Sequence, residues 1–149
     1  MIVLTRVDNR LIHGQIVQGW LPNLDVSEVL VVSRNVQKEF VKKMFRLALP
    51  SGYKLTVMGT REVKKYSDES GEKLFIIVED IPSLFEMLKE GFSPKVITLG
   101  NTQFSEGKKQ YSQGVFLSDS EVKELKKLET EKHISIEIRS LPTSFVTKL

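Results

Sequence analysis

The stretch Asp8-Asn9-Arg10-Leu11-Ile12-His13-Gly14-Gln15 places a carboxylate, a guanidinium and an imidazole within eight residues. A neutral imidazole is a competent nucleophile toward phosphorus. Arg10 has the planar fork that fits the oxygens of a transferring phosphoryl group. Asp8 can take the other ring N–H of His13 and so fix its tautomer. Gly14 lets the backbone approach a phosphate closely, with Gln15 beside it as a further phosphate-binding candidate. A second reading needs no chemistry: His13 as a structural or merely exposed loop residue, Asp8 as a turn residue, Arg10 as a surface charge. Spacing alone leaves both readings open.

The elements around this stretch say where it would sit. Apolar, β-branched runs at 2–7, 29–32, 55–58, 74–78 and 96–99 read as strands buried on both faces, the pattern of a parallel sheet. Residues 115–117 read as a further short strand. Ile134, Ile136 and Ile138 alternate with polar residues, which predicts a half-exposed strand at a sheet edge. Helical spacing joins Val36, Phe40, Val41, Met44, Phe45 and Ala48, then Ile81, Leu84, Phe85 and Leu88, then Val122, Leu125 and Leu128 after the capping box Ser118-Asp119-Ser120-Glu121. A short helix is expected over 60–66. Phe40, Phe45 and Phe85 are expected in the core.

Strand and helix in regular alternation predict one α/β domain over residues 1–149. Its sheet is doubly wound, open and mostly parallel, of about six or seven strands, with helices on both faces. The last strand is placed at an edge, where an antiparallel setting is open to it. In such a sheet ligands bind beyond the carboxyl ends of the strands. That directs attention to residues 8–13, 33–35 and 100–107. His13 falls at or just before a helix start, where free N–H groups favour an anion.

Composition narrows the function. The 149 residues contain no cysteine and two histidines, which excludes disulfides, thiol chemistry and a three-histidine metal site. No metal or cofactor is expected. The net charge of +3 comes from 22 basic and 19 acidic residues, many paired at helical spacing, so nucleic acid is not the expected partner. No apolar run approaches the ~20 residues of a membrane span, and the first residues lack a signal-peptide layout. A cytoplasmic protein is the expectation.

The run Val7-Asp8-Asn9-Arg10-Leu11-Ile12-His13-Gly14-Gln15-Ile16 closely resembles the active-site stretch of the IIB components of the mannose/fructose/sorbose class of the phosphoenolpyruvate-dependent sugar phosphotransferase system, usually Asp-Asp-Arg-Leu-Ile-His-Gly-Gln-Val. The likeness extends over nearly the whole chain: Trp20 follows the motif, Gly107-Lys108-Lys109-Gln110 resembles a Gly-Lys-Lys-Gln segment, and Leu141-Pro142 resembles the family's Val-Pro ending. The resemblance implies that His13 is phosphorylated at Nδ1, with Arg10 stabilising the phosphoryl group. The donor would be a phosphohistidine of a IIA domain, and the acceptor a hexose held by membrane IIC/IID components, with the protein docking peripherally at the inner membrane face. Three departures stand out. Asn9 replaces the second acid, Ser33-Arg34 replaces a frequent acidic pair, and Gly100-Asn101-Thr102-Gln103 replaces a common Gly-Gly-Met. Gly-Asn there is more like the N-acetylgalactosamine branch. Arg6, Arg10, Arg34 and the pair Lys108-Lys109 are expected to surround an open, exposed His13 with positive charge that steers the donor. Arg6, Arg34 and Lys108 are thereby phosphate-binding candidates. His133, behind a basic helix end, reads as a surface residue. The rival functions are a phosphate- or small-molecule-binding module, disfavoured by the lack of a Gly-rich nucleotide loop, and a regulatory protein without transfer activity. A homo-oligomer is left open.

Overall fold

The computed structural model describes residues 1–34 and 39–149. Its main sheet has six strands in the order β3-β2-β4-β1-β5-β8: β1 (Ile2–Asp8), β2 (Glu28–Val32), β3 (Lys54–Met58), β4 (Leu74–Val78), β5 (Val96–Asn101) and β8 (Ser135–Ile138). Every pairing in it is parallel. The last strand lies at the edge, as its alternation suggests, but runs parallel to β5. The antiparallel setting is thus corrected. A helix joins it to the preceding strands, and a helical crossover returns the chain in its original direction. Beside the sheet, β6 (Lys109–Ser112) and β7 (Val115–Leu117) form a separate antiparallel hairpin. The polar run Lys-Gln-Tyr-Ser of β6 carries no apolar signal, so sequence patterning passes over it.

The two central strands β2 and β4 are buried at every position, which is why they read as unbroken apolar runs. Their alternate residues feed two cores. Leu30, Val32, Ile76 and Val78 face α2 (Val63–Glu69), α3 (Ile81–Lys89) and α4 (Asp119–Lys132) through Val63, Leu84, Met87 and Leu125. Val29, Val31, Phe75 and Ile77 face the π-helical segment Gln15–Trp20 through Ile16 and Trp20, together with α1 (Glu39–Ala48) through Val41 and Phe45. The helices therefore cover both faces.

Local signals account for the helix ends. Asp80 caps α3 by accepting from Ser83 N at 2.8 Å. Ser118 and Glu121 close a reciprocal capping box on α4, and His133 ends that helix in left-handed backbone on the exposed surface. The short helix expected over 60–66 starts three residues later, at Val63. Val36 lies outside the described residues. Phe40 is a correction: 71% of it is exposed, whereas Phe45 and Phe85 pack on the cores.

β1 lies between β4 and β5, so the chain leaves it for one side of the sheet and later crosses to the other. The carboxyl end of β1 is a switch point of the topology, the crevice where such sheets hold ligands. Asp8 is its last residue, and its neighbour on β5 is Asn101.

Candidate active site

Asp8 is fully buried and its carboxylate accepts four hydrogen bonds, three on one oxygen and one on the other. Oδ2 accepts from His13 Nε2 at 3.0 Å, Asn101 Nδ2 at 3.0 Å and Arg6 Nε at 3.2 Å. Oδ1 accepts from the backbone N–H of Arg10 at 3.0 Å. Burial by itself pushes the Asp8 carboxyl up, but the hydrogen bonds from His13 and Asn101 and the charges of His13 and Arg6 outweigh it. The net effect holds it below the usual carboxylate range. An ionised carboxylate has no proton to give, so the proton in the His13–Asp8 bond sits on Nε2. In the neutral ring the lone pair is then on Nδ1, the atom that could act as nucleophile.

Local backbone geometry brings the imidazole back over Asp8. The Leu11 N–H donates to the Asp8 carbonyl at 3.1 Å, and Leu11 adopts left-handed backbone at φ 57°. Such a conformation costs a side-chain-bearing residue on the order of 1–3 kcal/mol. It is held here because Leu11 and Ile12 are buried against Ile16 and Trp20 in the second core. They anchor the loop to that core. The carbonyl of His13 accepts from the N–H groups of Ile16 and Val17, each at 3.0 Å, which opens the π-helical segment. An added Cβ at Gly14 would meet nothing within 4 Å, so the space beside His13 is open there. Gln15 Oε1 accepts from Asn101 Nδ2 at 3.3 Å.

His13 itself is a correction. Only 8% of its side chain is exposed, where an open site was expected, and its Nδ1 is buried without a hydrogen-bond partner among the described residues. Arg6 is a second correction. It is fully buried, part of the floor of the site and not of its surface. Nη1 and Nη2 donate to the carbonyls of Arg139 at 2.7 Å and Ser140 at 3.1 Å, and the guanidinium lies 4.9 Å from the centre of the Trp20 ring. Arg34 and Lys108 are spent elsewhere. Arg34 pairs with Asp80 at 2.9 Å, Glu79 at 3.7 Å and Glu86 at 3.8 Å, and Lys108 pairs with Glu121 at 3.4 Å. Lys109 reaches Asp119 at 3.3 Å. Of the basic residues expected around His13, Arg10 is exposed and has no ion pair among the described residues.

Asn101 joins the site although the sequence singles it out only as a departure from a motif. The signal was present: it closes β5, next to the end of β1 in a parallel sheet. The same rule would have drawn attention to Arg139, one residue beyond β8. Gly100 has a packing reason. A Cβ there would lie 2.0 Å from Arg6 Cζ, so no other residue fits over the guanidinium. Gly100→Ala should lower stability by about 1–3 kcal/mol, the usual cost of overpacking, measured by urea unfolding. A variant as stable as the parent would show that Arg6 can move aside. Among the described residues no cluster of three or more His, Cys, Asp or Glu could hold a metal, and no helix is long and apolar enough to cross a membrane.

The parallel α/β sheet thus holds an imidazole against a buried carboxylate at its switch point. Residues 2–148 match the sequence model of the sorbose subfamily of IIB components of the phosphotransferase system, and the chain belongs to that family. It is 29% identical over 132 residues to the sorbose-specific EIIB component of Lacticaseibacillus casei, covering 86% of this chain and 80% of that one. It is 26% identical to the mannose-specific EIIAB component of Escherichia coli K12, covering 96% of this chain but 45% of that longer one. Its fold is similar to the crystal structure of manxB from Thermoanaerobacter tengcongensis, with a TM-score of 0.90 at 28% identity over 99% of this chain and 92% of the other. The fold and family expected from the sequence are those found.

Proposed function

We propose that His13 accepts a phosphoryl group at Nδ1 from a IIA phosphohistidine and passes it to a hexose during its transport through membrane IIC/IID components. The observation that carries this reading is the bond from His13 Nε2 to the ionised Asp8, which leaves the Nδ1 lone pair free to attack phosphorus. As the new N–P bond forms, the donor's N–P bond breaks and its imidazole leaves neutral. The positive charge that grows on the His13 ring is met by the Asp8 carboxylate. In the second step the N–P bond at His13 breaks, a sugar hydroxyl oxygen takes the phosphoryl group, and the hydroxyl proton passes to water. Little covalent machinery is needed; positioning and charge neutralisation suffice. Arg10, exposed and without an ion pair among the described residues, is the group suited to hold the phosphoryl oxygens. The E. coli relative whose name joins A and B components supports a IIA donor. We place the action in the cytoplasm, with docking at the inner membrane face.

The buried Nδ1 adds a requirement: the ring or residues 9–14 must shift to meet the donor. The test is incubation with labelled phosphoenolpyruvate, the general phosphotransferase proteins and a IIA donor. The expected result is one acid-labile, alkali-stable phosphate, mapped to His13. An acid-stable adduct, or label on another residue, would remove His13 from the role.

A further inference from the structure

Beside the His13 site lies a second concavity of about 330 Å³, within the size range of small-molecule sites. The end of β5, the β6–β7 hairpin and the chain that follows β8 enclose it. We propose that this cleft binds a hexose phosphate, the product of the transfer proposed above, and it rests on that reading for its role. Gln15 and Asn101 line the cleft and also link it to Asp8, because Asn101 donates both to Gln15 and to the Asp8 oxygen that holds His13. The two centres are separated by single side chains.

The lining has the chemistry of a phosphorylated sugar. Amides of Gln15, Asn101 and Gln113 and the hydroxyl of Ser112 offer both donors and acceptors, as vicinal hydroxyl groups require. Phe145, 99% exposed, stands at the rim as an apolar surface for a ring face. Arg139 is the one charged side chain among the described lining residues, and no carboxylate lines the cleft to neutralise it. Its Nε is closed off from solvent, and the guanidinium has no ion pair among the described residues. An anion in the cleft would supply the counter-charge that the guanidinium lacks. Inorganic phosphate shares that anionic part but uses neither the amides nor Phe145, so the sugar must add affinity.

The test is an NMR titration of the ¹⁵N-labelled, unphosphorylated full chain with mannose 6-phosphate and N-acetylgalactosamine 6-phosphate, with inorganic phosphate and the free sugars as parallel arms. At least one sugar phosphate should give saturable shifts at Gln15, Asn101, Gln113 and Arg139, with affinity about tenfold above phosphate or sugar alone. Arg139→Gln should weaken that binding about tenfold or more, the effect of removing a charge-assisted hydrogen bond. Gln113→Ala, a hairpin change, serves if Arg139→Gln loses its dispersed spectrum. Equal affinity for inorganic phosphate, shifts away from the cleft, or no saturation at millimolar concentrations would overturn the proposal. His13 labelling is assayed on the same sample. Labelling without sugar-phosphate binding overturns the cleft alone, and binding without labelling overturns its assignment to a reaction product.

Discussion

Asp8→Asn should slow phosphoryl acceptance by His13 about 10²–10⁴-fold, the range seen when an imidazole loses the group that sets its tautomer. The carboxylate can only accept, and so it requires a proton on Nε2 and a lone pair on Nδ1. An asparagine amide can turn its NH₂ toward Nε2, which stabilises the opposite tautomer and puts the proton on the atom that must attack. The measurement is the rate of His13 labelling from the IIA donor. A rate close to the parent's would show that Asp8 positions nothing that matters for transfer.

The same residue sets a pH dependence with a definite sign. The folded protein holds the Asp8 carboxyl below its ordinary range. Its ionised form therefore contributes stability above the ordinary carboxylate pKa, and this contribution fades as pH falls toward the lower folded value. The stability gap between parent and Asp8→Asn, from urea unfolding, should be largest near neutral pH and should narrow on acidification. A gap that widens in acid contradicts an Asp8 held ionised by its partners.

Much of this arrangement was written in the sequence as physical pattern. Strands β2 and β4 have no solvent face, so apolar runs mark them directly. The capping box of α4 and the Asp80-Ile81-Pro82 start of α3 are local signals that do not depend on the rest of the fold. The His13 stretch falls at a strand end by simple counting. What escaped depends on the third dimension. Alternation in residues 134–138 shows that one face is buried, but not which way the strand runs. Phe40 fits the helical spacing of α1, yet it sits on a flank left exposed among the described residues. The basic residues near His13 read as one positive field because sequence shows charges and not their pairing. Arg34 and Lys108 meet carboxylates contributed by distant elements. Arg6 is the instructive case. An arginine within a parallel strand whose sheet is covered by helices on both faces has little route to solvent, so its burial could have been argued from the predicted doubly wound sheet.

That buried guanidinium gives the second large effect. Arg6→Met should lower stability by about 3–5 kcal/mol, as expected when one partner of a buried ion pair is removed. Three groups lose a donor at once: the Asp8 carboxylate, the Arg139 carbonyl and the Ser140 carbonyl, which keeps only the Trp20 ring N–H. Arg6→Lys keeps the charge but replaces a three-way planar fork with a single ammonium, so it should fall between the parent and Arg6→Met. Urea unfolding measures all three. The carbonyl contacts tie β1 to the chain just beyond β8, so the loss should appear in global unfolding and in faster amide exchange at 139 and 140. A double-mutant cycle gives the sharper check. The predicted cost of Gly100→Ala comes from collision with Arg6 Cζ, and a flexible Met can yield where the pinned guanidinium cannot. In the Arg6→Met background Gly100→Ala should therefore cost much less than in the parent, a non-additivity expected only of residues in contact. Additive costs would mean that Gly100 is required for some other reason, and that the guanidinium is not the rigid strut beneath Asp8 and His13 that its hydrogen bonds describe.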